Sequence, residues 1–113
     1  MRVALHSVLK PDTENRYRTD HAAVPDELAE TFDRLGIVDW TIWRSGRNLF
    51  HLVDCDDFDA AWAALADDPA NQRWQAFIGP LVEGFRTDNE GTTGLELERI
   101  WSLAGQHADR PEP

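Results

Sequence analysis

Tyr17 and His21 stand four residues apart in the charged run NRYRTDH. On a helix, positions i and i+4 are neighbours on one face, so this spacing would let a phenol and an imidazole reach into the same pocket. An imidazole exchanges protons near neutral pH, and a phenol donates and accepts hydrogen bonds. Together they can orient a hydroxyl-bearing ligand and move a proton on it, which is general acid-base chemistry.

The other reactive side chains carry less. His6 and His51 fall in segments that read as the first and third strands, neighbours in the topology proposed below, which opens a two-histidine metal site. No paired cysteine, HExxH or carboxylate cluster supplies further ligands at a recognisable spacing, so both are read as hydrogen-bonded strand histidines, one of which could line a cavity. His107 lies in the C-terminal tail. The acidic run DCDDFD, residues 54–59, lacks the glycine and spaced ligands of a calcium loop and reads as a helix cap. Cys55 is the lone cysteine and can form neither an internal disulfide nor a thiolate metal site. There is no phosphate-binding glycine loop, no nucleophile elbow and no cysteine-histidine pair, so nothing points to covalent catalysis. Five tryptophans remain, an excess for so short a chain: Trp40, Trp43, Trp62, Trp74 and Trp101. Indole faces pack on the apolar C–H faces of sugar rings, while Tyr, His, Asn and Arg satisfy the hydroxyls, so the set suits a carbohydrate pocket.

The elements that must position these groups follow from periodicity and punctuation. Arg2–Leu9 reads as a strand closed by the turn signal KPD, with Asp12 or Thr13 as a cap. A helix from Glu14 through Tyr17 and His21 should kink at Val24, ahead of Pro25, and resume with Leu28, Phe32 and Leu35 in one stripe until Gly36. Residues 37–44 and 47–55 form a hairpin around Ser45-Gly46. Phe58, Ala61, Trp62 and Leu65 mark a second amphipathic helix, and a further helical turn or two follow Pro69 as far as Gly79-Pro80. The alternation in LELERIWSL, residues 95–103, reads as the fourth strand. The order is βαββαβ, an α+β ferredoxin-like domain over residues 1–104 with a four-stranded antiparallel sheet and its helices on one face; residues 105–113 read as a disordered tail.

Composition excludes several classes. The 113 residues suffice for one domain. With a net charge of −10 and only 11 Lys and Arg, spread along the chain, the basic footprint of a nucleic-acid binder is missing. No apolar run approaches the roughly 20 residues that span a bilayer, and the N-terminus does not read as a secretory signal, so a cytoplasmic location is expected. The strands are apolar at both parities, with Trp40 and Ile42 against Ile37 and Trp43, which predicts a homodimer.

The segments RY…HAAVPDEL, DWTIW, RNLFHLVD, AAWAALADDPANQRW and ELERIW, in this order and spacing, resemble the L-rhamnose mutarotase family over nearly all of the chain up to Leu103. The resemblance implies a dimeric α+β-barrel type of assembly and interconversion of the α and β anomers of a free monosaccharide, L-rhamnose or a related 6-deoxy sugar, with no metal and no cofactor. It places the catalytic histidine at His21 and a substrate-contacting tyrosine at Tyr17. A sugar-contacting strand aromatic, commonly tyrosine, falls on Trp40. The family's Trp-Trp pair falls on Trp74 and Gln75, and a tryptophan often found before the helix proline is Val24 here. A cofactorless monooxygenase or cyclase of the same scaffold, or a non-catalytic sugar-binding dimer, are the alternatives.

Overall fold

The computed structural model describes residues 1–89 and 94–109. Strand β1 (Arg2–Leu9) lies between β3 (Asn48–Cys55) and β4 (Val82–Phe85), and β2 (Ile37–Ser45) is the outer partner of β3, giving the antiparallel order β2-β3-β1-β4. Alternation sorts the two faces. Val3, Leu5, Leu9, Leu49, Val53 and Cys55 are buried against one layer of helices, whereas Phe50 and Trp43 on the strands remain exposed. The same parity separates the two strand histidines. Leu5 stands opposite His51 and His6 opposite Phe50, so His6 stacks on Phe50 on the open face while His51 is buried under the helices, and the pair cannot share a metal.

The helices show how local signals and long-range contacts divide the work. Helix α1 (Glu14–Asp20) carries Glu14 in its first turn and Arg18 in its last, in keeping with the helix dipole. Thr13 occupies its N-cap position, yet its hydroxyl donates to the carbonyls of Lys10 and Leu81 and so ties the turn to the residue just before β4 rather than capping the helix. The expected kink is a break. The chain leaves the helix after Asp20, His21 becomes the C-cap with its N–H on the Tyr17 carbonyl at 2.9 Å, and α2 (Asp26–Arg34) starts anew behind Pro25. Proline has no N–H to return to the His21 carbonyl, and its ring disfavours helical backbone at Val24. Gly36 ends α2 in the left-handed region, where an added Cβ would meet the Asp56 carboxylate at 2.8 Å.

Helix α3 (Phe58–Asp67) is capped by Asp57, which accepts from the Ala60 N–H, and α4 (Pro69–Ile78) by Asp68, which accepts from the Asn71 N–H, with Pro69 at the first helical position. Helix α4 runs ten residues rather than a turn or two, and a single 3₁₀ turn, Gly79–Leu81, leads straight into β4. The fourth strand is therefore Val82–Phe85 and not residues 95–103. Four residues are too few to display a period of two, whereas the alternating segment supplies only an edge contact, the Leu5–Glu96 bridge and the Leu97 N–H on the Ala4 carbonyl, where β4 no longer reaches. Beyond it, Ile100 and Trp101 are exposed and Leu103–Asp109 forms a short helix, α5, in what reads from sequence as a disordered tail; residues 110–113 of that tail lie outside the described residues. No helix among the described residues is long and apolar enough to cross a membrane.

Candidate active site

The break after α1 sets the geometry of the site. With His21 at the helix end, its imidazole lies 5.2 Å from the Tyr17 ring and meets the Trp74 indole edge-on at 5.1 Å. Trp74 arrives from α4 and is itself buried, so two aromatic side chains from separate helices pack on the imidazole. An open pocket of about 220 Å³ lies beside this cluster, lined by Tyr17, Arg18 and His21 from the first helical segment and by Ile42, Arg44 and Leu49 from the β2–β3 hairpin, with Trp43 at its edge.

Two functional groups face this pocket without internal partners. The Tyr17 ring is buried, but among the described residues its hydroxyl makes no hydrogen bond and no buried side-chain nitrogen or oxygen lacks a partner, so the hydroxyl opens on the pocket. Burial pushes the phenol up to about 12, which keeps it a neutral donor. Among the described residues, the ring nitrogens of His21 likewise have no hydrogen-bond partner. A hydroxyl donor and a free imidazole, one turn apart, are what proton exchange on a polar ligand needs.

The remaining sequence candidates sit elsewhere. Trp40 lies two residues from Ile42 on the same strand face, about 7 Å further along the strand, among Phe32, Trp62 and His51. Its indole N–H donates to His51 Nδ1 at 3.1 Å, and since indole nitrogen can only donate, Nδ1 must be the acceptor and Nε2 carries the proton that faces Ser7 Oγ at 2.9 Å. Burial first, then the charges of His21 and His6, lower His51 to about 4, so it is a neutral hydrogen-bonding link. Gln75 projects outward from α4 and bonds Asn71, away from the pocket. Val24 packs at the margin of the cluster that holds Tyr17 and Trp74. Arg18 and Arg44 were missed from sequence, although Arg44 follows Ile42 at the strand period of two and Arg18 adjoins Tyr17. Among the described residues, no three His, Cys, Asp or Glu side chains converge as a metal site would require.

The four-stranded antiparallel sheet, helices on one side and a small pocket of aromatic and hydrogen-bonding groups define a ferredoxin-like α+β protein. The fold agrees over 91% of this chain and 98% of the other with the crystal structure of an L-rhamnose mutarotase from Formosa agariphila, at a TM-score of 0.70 and 16% identity. It also agrees with tetracenomycin F2 cyclase from Streptomyces glaucescens over 91% of this chain and 96% of that one, at a TM-score of 0.64 and 17% identity, a likeness of fold alone. In sequence, an L-rhamnose mutarotase of Listeria monocytogenes is 25% identical over 91% of this chain and 98% of its own length, and one of Opitutus terrae is 32% identical over 61% and 67%. The family model described as L-rhamnose mutarotase matches residues 2–103. The chain belongs to the L-rhamnose mutarotase family.

Proposed function

We propose that this protein is a cofactor-free aldose 1-epimerase that interconverts the α and β anomers of L-rhamnose or a related 6-deoxy sugar. The observation that carries the reading is the pairing of two unbonded groups, the Tyr17 hydroxyl and the His21 imidazole, on one pocket of monosaccharide size. Mutarotation removes the proton of the anomeric hydroxyl and delivers one to the ring oxygen, so the bond between the anomeric carbon and that oxygen breaks and an open-chain aldehyde forms. Rotation about the bond from the aldehyde carbon to its neighbour exposes the other carbonyl face, and closure by the same proton transfers in reverse gives the other anomer. His21 exchanges the protons, Tyr17 orients the sugar by donating a hydrogen bond, and Trp74, which does not itself line the pocket, holds the imidazole in place. Trp40 stands at the inner end of the same strand face, and Gln75 is left out of the site. Free sugars mutarotate slowly in water, so one or two positioned proton-transfer groups supply the few kcal/mol required.

The working form is a cytoplasmic homodimer in this reading. Trp43 is 55% exposed and Phe50 is 40% exposed on the open side of the sheet, which a second copy would cover. The test of the activity is magnetisation-exchange NMR on L-rhamnose and related pyranoses. Wild-type protein should accelerate exchange between anomers, and His21→Ala should lower the rate by about 10² to 10⁴ while the fold, followed by circular dichroism, is kept. Undiminished exchange in His21→Ala would refute the role of this residue, and no exchange with any sugar would favour a non-catalytic sugar-binding protein.

A further inference from the structure

The pocket is cationic in an acidic molecule. Of the residues that line it, Arg18, His21 and Arg44 can carry positive charge and none is Asp or Glu, in a chain with 21 acidic side chains. Apart from Arg99, which bonds the Ser102 hydroxyl, the other described arginines show how such charge is ordinarily used here. Arg2, Arg16, Arg34, Arg47, Arg73 and Arg86 each pair with a carboxylate. Arg18 and Arg44 pair with none among the described residues. Even Asp20, next to His21, is taken by Arg16 at 3.3 Å on the flank of α1. Arg44 is partly tethered, because its Nη1 donates to the Gly46 carbonyl at 2.9 Å, which leaves the remaining guanidinium donors for another acceptor.

From this lining we infer that the pocket accepts pyranoses bearing one anionic group, a carboxylate or a phosphate monoester, which Arg18 and Arg44 hold while Tyr17 and His21 act on the anomeric centre. This inference rests on the mutarotase reading and extends its substrate class beyond neutral 6-deoxy sugars. Guanidinium presents a planar fork of N–H donors that matches the oxygens of either anion. One arginine comes from the helix and the other from the hairpin, so the anion would bridge the two elements that form the pocket walls. The reaction restricts where the charge can be. Ring opening needs a free anomeric hydroxyl, so a substituent on that oxygen would block it, and the anion must sit elsewhere on the sugar, most simply at C6. A pocket of about 220 Å³ holds one such sugar and not a chain of them. At a net charge of −10 the molecule repels anions at a distance, so the attraction is confined to the pocket and should weaken as salt screens it.

The experiment compares three sugars with the full chain: neutral L-rhamnose, a hexuronate and a hexose 6-phosphate. Exchange NMR gives kcat/KM for each, and chemical-shift perturbation of the His21 imidazole and the tryptophan indoles gives binding independently of turnover. At low salt at least one anionic sugar should exceed the neutral one in kcat/KM by about tenfold, the scale of a single charged hydrogen bond. The advantage should reside in KM and fall as sodium chloride is raised. Arg18→Gln and Arg44→Gln should each pull the anionic-to-neutral ratio towards one, with Lys at either position restoring part of it. Whether the uronate or the phosphate gives the higher ratio identifies the anion. L-rhamnose exchange without any anionic preference, and with no salt-dependent anion binding, would overturn this inference and leave the mutarotase reading standing. Salt-dependent binding of the uronate or phosphate, lost in both arginine variants, but with no exchange of any sugar, would support the anion site and overturn the catalytic reading.

Discussion

Tyr17 has a hydroxyl that only orients, in the proposed mechanism, so its removal should cost less than the loss of His21. Tyr17→Phe should lower anomer exchange by about tenfold, corresponding to a hydrogen bond of roughly 1 to 2 kcal/mol, as read by the same NMR exchange rates. His51 gives a second prediction at this scale, about acid stability. It is neutral in the fold and lowered to about 4, against 6.5 for an unburied imidazole. Between these values the unfolded chain binds a proton that the native protein does not, so stability rises with pH there. The contribution of His51 is complete above about pH 6.5 and is lost progressively as pH falls towards 4, by up to about 3 kcal/mol. Urea unfolding from pH 7 to pH 4 should show this slope, and His51→Phe should flatten it. The same substitution should also lower stability at pH 7 by about 1 to 3 kcal/mol, because it strands the Trp40 indole N–H and the buried Ser7 hydroxyl. An unchanged slope in the variant would show that another group titrates.

At the scale of elements, the junction of α2, α3 and α4 depends on Asp68. Its carboxylate caps α4 through the Asn71 N–H and also receives the Thr31 hydroxyl and the Arg34 guanidinium. The Asn71 N–H first, then the Thr31 and Arg34 contacts, hold this carboxyl below the usual carboxylate range. Its stabilising effect is therefore present at neutral pH and disappears as pH falls through the lowered value. Asp68→Ala should lower Tm by a few degrees at pH 7, by differential scanning calorimetry, with a smaller difference from wild type in acid. Because α4 also carries Trp74 against the His21 imidazole, the variant should lose some exchange activity although no atom of Asp68 reaches the pocket. A cap variant with full stability and full activity would show that α4 is held by packing alone.

For the whole molecule, the open sheet face leads to the test of assembly. Trp43 and Phe50 are opposite one another on β2 and β3, and His6 stacks on Phe50, so an aromatic patch spans β2, β3 and β1 on the uncovered side. Sedimentation equilibrium at micromolar concentration should give the mass of a dimer, and a Trp43→Arg, Phe50→Arg double variant should sediment as a monomer. A wild-type monomer would overturn the proposed assembly. Exchange activity should also survive EDTA and dialysis, since the described donors gather no metal-binding set of three. Loss with chelator and recovery with a divalent ion would overturn the metal-free mechanism.

Local physics accounts for what could be read from the sequence itself. Stripe spacing placed α2 and α3, Ser45-Gly46 placed the hairpin, and the i, i+4 relation placed Tyr17 beside His21, because each depends on residues within one or two turns of chain. Family likeness in the same residues supplied the reaction. Features that depend on register and packing could be decided only in three dimensions. Trp40 alternates in β2 just as Trp43 does, yet one packs among aromatic side chains and the other lies open, because the helices cover a single face of the sheet. His51 meets Ser7 across 44 positions of sequence, and only the β1–β3 register brings a hydrogen bond within reach and excludes His6 from it. Residues 95–103 have the better alternation, but the short turn after α4 puts Val82–Phe85 beside β1 first. The cationic pocket is of this kind too: Arg18 and Arg44 are 26 positions apart, and no sequence period relates them until a helix end and a strand are packed together.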